Sequence, residues 1–174
     1  MSSYITHVTD YIDARRCPPS FSARCTALNV TTTNAYVILQ YVNQRALLHG
    51  VDLSASSLLG RIPSLGRFYL SGSASYVDGK NLTTGDTLYH LMPLNAKLAL
   101  QHRAEGWTNT VELHAVSEKS EVSQVRNEVP TPGYTLLNLR SSISWTFARL
   151  DIALENALDK FYLLPLGGAY LGQG

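Results

Sequence analysis

Apolar and polar side chains alternate along this chain with a period of two, and helical periodicity is hard to find. From Phe68 to Tyr76 one parity holds Phe68, Leu70, Gly72, Ala74 and Tyr76, and the other holds Tyr69, Ser71, Ser73 and Ser75. Leu94, Ala96, Leu98 and Leu100 oppose Asn95, Lys97, Ala99, Gln101 and Arg103. From Trp107 to Val116, Val111, Leu113 and Ala115 face away from Thr108, Thr110, Glu112 and His114. Leu137, Leu139, Ile143 and Trp145 then oppose Asn138, Arg140, Ser142 and Ser144, and Leu150, Ile152 and Leu154 oppose Asp151 and Glu155. Each run reads as a half-apolar strand. Arg45–Ser57 and Tyr4–Asp13 are weaker members of the set. The pattern therefore predicts seven strands, all antiparallel by adjacency.

The connections carry more information than the strands. Gly60–Gly66, Ala104–Gly106 and Thr146–Ala148 are tight, whereas Ala14–Asn34, Val77–Met92 and Ser117–Gly133 are long and polar. Long and short alternate strictly, so one end of the sheet holds the turns and the other the loops. Greek-key sandwiches mix loop lengths at both ends. An up-and-down outer-membrane barrel requires this segregation, with strands apolar toward lipid and polar toward the lumen. Lipid offers backbone groups no water, so a sheet spans only as a closed, fully paired cylinder. On this reading Asp52, Lys97, Gln101, Arg103, Glu112, His114, Arg140, Asp151 and Glu155 point inward. Tyr69, Tyr76, Trp107, Tyr134, Trp145 and Tyr162 fall near strand ends, as an interfacial girdle would, though Tyr69 falls on the polar parity. The competing reading is a soluble secreted β-barrel or sandwich that binds a small ligand, with the apolar parity turned inward.

Composition narrows the choice. A chain of 174 residues fits one domain with a sizeable core. With 14 basic and 13 acidic side chains there is no basic field, so no nucleic-acid partner is expected. Charged residues make up 16%, below the about 25% of ordinary soluble domains, beside 10 Tyr and 45% hydrophobic residues. That balance argues against disorder and for a surface that is partly dry. The longest clean apolar run, Ala35–Leu39, falls far short of the about 20 residues a spanning helix needs. The first residues show no basic segment followed by an apolar one, so no signal peptide is read there. Two cysteines exclude a disulfide framework, and no CxxC, CxxH or HExxH spacing supports zinc.

Three stretches resemble the barrel of TonB-dependent outer-membrane receptors. Arg45–Leu53, with Gly50, Val51 and Asp52 at its centre, is similar to a family strand built on Gly-Val-Glu-Leu. Pro132–Arg140, with Gly133 and Tyr134, resembles the family's "pGYtlvdlr" strand start. Glu155–Tyr162 resembles the "eNlfDkxY" signature through Glu155, Asn156, Asp159 and Tyr162. Asp52 in place of Glu, and Ala157 in place of a bulkier residue, are mild departures. The resemblance implies an all-β, antiparallel up-and-down transmembrane barrel portion, seven strands of a cylinder of about 22. Residues 1–174 are then expected to be a partial barrel domain lacking the plug, the TonB box and the final strand. The implied function is part of a receptor that takes up a scarce metal chelate (siderophore, haem or metal complex). It would sit in outer-membrane lipid, be energised by a TonB-type protein and be inactive as an isolated fragment.

Candidate site residues lie mostly in the loops. Cys17 and Cys25, eight apart in the longest loop, suit a disulfide in an oxidising exterior; two free thiols are the alternative. His90 and Met92 are soft donors suited to copper, or else loop packing. Arg15 and Arg16 beside Asp13 would attract an anionic chelate, or else form a solvated turn. The five histidines nowhere fall at metal-ligand spacing, so neither a metal site nor a cofactor is expected. Glu112, His114, Arg140 and Glu155 read as lumen-wall ion pairing. A hydrolytic set is drawable only from Ser142 or Ser144 with His114 and Glu112; no GxSxG elbow supports it, so no catalytic residue is assigned.

Overall fold

The computed structural model describes residues 1–18, 20, 21, 25, 38–167, 172 and 173. Seven strands form one sheet in chain order: β1 (Ser2–Arg16), β2 (Leu39–Ile62), β3 (Gly66–Asn81), β4 (Asn95–Ala104), β5 (Trp107–Val116), β6 (Tyr134–Ser144) and β7 (Arg149–Leu154). Every neighbouring pair is antiparallel. The short turns join β2–β3, β4–β5 and β6–β7 at one end, and the long connections lie at the other. Gly106 sits at φ 76° in the β4–β5 turn, a conformation that disfavours any residue with a Cβ.

Register fixes the two faces. Ala55, Gly72, Leu98, Leu113 and Leu137 form one cross-strand row, and Ser54, Ser73, Lys97, His114 and Leu136 form a row of the opposite parity. Leu98, Leu113 and Ile152 are 50%, 45% and 62% exposed, so no second layer covers the apolar parity among the described residues. A soluble barrel or sandwich would have buried them. The long connections fold instead over the polar parity, which marks it as the inner face. β4 and β5 have 10 residues each, matching the about 9–11 needed to cross a bilayer at barrel tilt.

Several expected boundaries shift. The two runs that looked weak in sequence form two of the longer strands: β2 has 24 residues and β1 has 15. Ala14–Arg16, Gly60–Ile62 and Val77–Asn81 belong to strands rather than to connections. These strands run past any lipid band, where neither face need be apolar and alternation fades. After β7, β8 (Tyr162–Leu163) and β9 (Gly172–Gln173) pair in a short antiparallel ladder. Bulges between Val8 and Tyr11, and between Leu58 and Gly60, absorb changes of register. Of the Ala14–Asn34 loop, residues 19, 22–24 and 26–34 lie outside the described residues.

Candidate functional site

The outer end of the inner face is closed by a polar cap. At its base Asp13, Gln44 and Asn81 come from three adjacent strands and are all buried. Asn81 Nδ2 donates to Asp13 Oδ2 at 2.9 Å and to Gln44 Oε1, while its Oδ1 accepts from the backbone of Thr83 and Thr84 at 3.0 and 3.1 Å. One amide thus ties three strands together and starts the turn that ends β3. Arg126 reaches down from loop 117–133 to Asp13 Oδ1 at 3.1 Å and lies over Tyr89 and Tyr41, 4.8 and 5.5 Å from their ring centres. Burial works against its charge, yet hydrogen bonds to Asp13 and Tyr41 outweigh it and hold the guanidinium above its ordinary pKa.

Loops 82–94 and 117–133 are locked to each other by carboxylates. Asp86 accepts from Ser123 Oγ and from the backbone N–H of Gln124 and Val125 at 2.8–3.0 Å. Glu128 forms a buried ion pair with Lys119 and accepts from the backbone N–H of His90 and Ser123. Lys119 Nζ also donates to Pro165 O at 3.3 Å. A buried pair is tolerated only where such extra hydrogen bonds satisfy both ions.

The motif residues turn out to be the joints beneath this cap. Tyr134 and Tyr162, from two different motifs, meet with ring centres 4.6 Å apart, and His114 approaches Tyr134 edge-on. Met92 packs with Tyr162 against the cluster of Val116, Tyr134 and Leu136. Asn156 and Asp159 both sit at φ 50°; Asn156 Nδ2 donates to Lys160 O while its Oδ1 accepts from Lys160 N, each at 3.0 Å. Asn is well suited because it tolerates this backbone and carries both a donor and an acceptor. Gly50 lies under the Tyr4 ring, where a Cβ would stand 2.5 Å from the phenol oxygen and 2.7 Å from Tyr76 O. At Gly133 a Cβ would crowd the backbone of Val116 and Glu118. Val51 pairs with Tyr76, and Asp52 accepts from Ser75 Oγ. Tyr69, Tyr134 and Tyr162 are therefore inner-face residues, not members of a lipid girdle; Tyr76 and Trp107 keep the outward parity.

The loop candidates receive different surroundings. Cys17 and Cys25 are joined by a disulfide, with Cα atoms 5.4 Å apart. Arg15 is exposed and donates from Nε and Nη2 to Gln40 Oε1 at 3.0 and 2.8 Å. Arg16 donates to Gln124 O and Asn127 Oδ1, joining β1 to loop 117–133. The His90 ring stacks on Tyr89, centres 4.0 Å apart, while Met92 belongs to the apolar cluster. No group of three or more metal-competent side chains forms among the described residues.

On the wall, Arg140 lies 3.9 Å from Glu112 and 3.4 Å from Glu155, and Asn138 Nδ2 donates to Glu112 at 3.1 Å. Ser142 pairs with Thr108, and His114 with Leu136. Six residues of strand separate that serine from that histidine, about 20 Å. Sequence reasoning missed Asn81, Asp86, Arg126 and the Lys119–Glu128 pair. The turn-forming run Asn81-Leu82-Thr83-Thr84-Gly85 was a usable signal for Asn81; the ion pair had none, because its partners meet only once the loop folds.

The sequence model of the family described as "TonB dependent receptor-like, beta-barrel" matches residues 1–157. No curated protein matches the chain by sequence. Among solved structures, one titled "Copper transporter OprC" superposes with a TM-score of 0.73 and 20% identity, over 92% of this chain and 23% of that one. The chain thus spans about a quarter of that protein's length, and at this identity the likeness is one of fold. The family match, the single sheet with its bare apolar face and the segregation of turns from loops agree: the chain belongs to the TonB-dependent receptor-like β-barrel family of the outer membrane.

Proposed function

We propose that this chain forms part of the wall and outer cap of a TonB-dependent transporter for a scarce metal chelate (siderophore, haem or metal complex). The observation that carries the reading is the cap. Its loops are docked on the inner face by buried polar contacts, leaving the Arg15 guanidinium on a neutral amide oxygen at the rim. A chelate that carries net negative charge would find that cation unneutralised. The similar structure's title names copper. Here the Met92 side chain packs against the cluster of Val116, Tyr134 and Leu136, which leaves the exposed His90 as the more open soft donor of the two. An anionic chelate fits these residues better than an unligated ion. Transport requires closure: β1 and β7 do not pair, and open edges in lipid cost several kcal/mol per unsatisfied group. The 174-residue chain alone is therefore expected not to transport.

The test is uptake of radiolabelled ferric and cupric chelates by cells with and without the gene, each with and without a protonophore. Uptake that needs both the gene and the proton gradient, with a raised apparent KM in Arg15→Gln, supports the reading. Uptake unchanged by loss of the gene for every chelate overturns it.

A further inference from the structure

We infer that the Cys17–Cys25 disulfide is an oxidation-dependent clamp on the cap: it holds the end of β1, and through that end it holds loop 117–133 over the inner face. From Ala46 to Asp52, β2 is paired on both sides, with β1 and with β3. Above Ala46, residues 11–16 and 39–44 run on as a ribbon of two strands, and β1 has no strand on its other side among the described residues. A two-stranded ribbon is only marginally stable by itself in water. Small structures without a core of their own add staples such as disulfides. Here the staple follows directly on the last strand residue. Cys17 N donates to Ile38 O at 3.0 Å, adding a rung to the ladder, and its sulfur is bonded to that of Cys25.

The ribbon carries the contacts by which β1 and β2 reach that loop. Asp13 Oδ1 accepts from Arg126 Nη2 at 3.1 Å, and Arg16 Nη2 donates to Gln124 O and, at 3.4 Å, to Asn127 Oδ1. Tyr41, across the ribbon from Ala14, presents its ring to the Arg126 guanidinium. The loop's other holds lie elsewhere. At its neck Lys119 and Thr131 exchange backbone hydrogen bonds at 2.9 and 3.1 Å. On the side of loop 82–94, Asp86 accepts from Ser123, Gln124 and Val125, and Glu128 accepts from His90 N. Fraying of the ribbon therefore releases one flank of loop 117–133 while its neck stays tied.

Closing the ring from Cys17 to Cys25 restricts the connection 17–38 when it is open, so loss of the bond favours the frayed ribbon. A dithiol reverses the bond by thiol–disulfide exchange: its two thiols become one disulfide, and Cys17 and Cys25 become two thiols. Disulfides form and persist in the periplasm and at the cell surface. The cap is thus held on its β1 side only in a chain that has been oxidised. Both sulfurs belong to buried residues, so a reductant reaches them only when this end of the cap opens. The clamp is independent of which chelate is carried.

The experiment measures hydrogen exchange in the protein in its native outer membrane, oxidised and as C17A/C25A. Heat-modifiable mobility on gels reports whether each variant has folded. Loss of the disulfide should speed exchange about tenfold or more in residues 11–16 and in loop 117–133, and leave β4–β6 unchanged. The assembled native protein should change in the same way when a dithiol is added in urea too dilute to unfold the barrel, against the same urea without dithiol. Alkylation counts the two freed thiols, and reoxidation should restore protection. That arm decides the matter if the alanine pair does not assemble. In R16Q/R126Q the loop starts less protected, and losing the disulfide should add no more than about twofold there. A rise confined to 17–38 overturns the inference, because the bond then staples only its own loop. A rise shared by β4–β6 overturns it as well, as does an undiminished effect on the loop in R16Q/R126Q. Failed chelate uptake with these exchange results intact overturns only the transport reading.

Discussion

The wall from β4 to β7 and the cap above it obey opposite rules within one chain. In the wall the large apolar side chains, Leu98, Leu113 and Ile152 among them, are the exposed ones, and the strands are held by their ladders. In the cap the buried side chains include Asp13, Gln44, Asn81, Lys119 and Ser123. The difference lies in the solvent. Lipid supplies apolar contact from outside, so the wall needs no core of its own. The cap stands in water and holds its shape by giving the polar side chains it buries, Asn81, Lys119 and Ser123 among them, hydrogen-bond partners inside the protein. Burial therefore reports the position of the solvent and not the hydrophobicity of the residue.

The sharpest way to break the contrast is to unpair a cap ion. Glu128→Ala leaves the Lys119 ammonium, 3% exposed, facing only Pro165 O, and frees the backbone N–H of His90 and Ser123. The expected cost is about 3–5 kcal/mol, the usual penalty for orphaning a buried ion. It should be confined to the cap: hydrogen exchange in the membrane-embedded protein should rise across 117–133 and stay unchanged in β4–β6. Lys119→Met with Glu128→Leu should restore most of the protection. Exchange that rises equally in the wall would show that cap and wall are one cooperative unit.

Next in size is a charge placed on each face of the wall. Leu113→Arg puts a cation into lipid near mid-strand and should cost about 2–4 kcal/mol. Ser56→Arg, on the inner face opposite Ser71, should change stability by about 0.5 kcal/mol or less. Urea unfolding from lipid vesicles measures both. Equal effects would mean that the two parities see the same medium.

The same contrast explains what was legible in the sequence. Wherever one face meets lipid, as in Leu94–Arg103 and Trp107–Val116, alternation located the strands to within a residue or so. The upper part of β2, from Leu39 to Gln44, meets the cap through Gln40, Tyr41 and Gln44, and its pattern dissolved although its backbone pairing continues. The motifs showed family membership but not their job. That Tyr134 and Tyr162 touch is a fact of three dimensions, and their places near strand ends alone had suggested a girdle for both. Arg126 with Asp13 and Lys119 with Glu128 are recorded by no periodicity, since loop contacts repeat nothing.

Asn81→Ala tests the seam where cap meets wall. It removes the amide shared by Asp13 and Gln44 and the acceptor for two turn N–H groups, in a residue 1% exposed. Leaving such partners unsatisfied should cost about 1–3 kcal/mol. Exchange should rise first at Leu82–Asp86 and at the outer ends of β1 and β2. A rise limited to the turn would show that Asp13 and Gln44 find water once the amide is gone.

The smallest effect belongs to a contact that looks important on the wall. Arg140 reaches Glu112 and Glu155, but at 3.9 and 3.4 Å and with its own side chain half exposed to the lumen. Exposed pairs of this kind gain little over hydration and are screened by salt. Arg140→Gln should therefore cost under about 1 kcal/mol, less still at high salt. Glu112 keeps its hydrogen bond from Asn138 at 3.1 Å, so it is not orphaned as Lys119 would be. A loss as large as that for Glu128→Ala would mean that the lumen beside β6 is as dry as the cap, and that something other than water fills it.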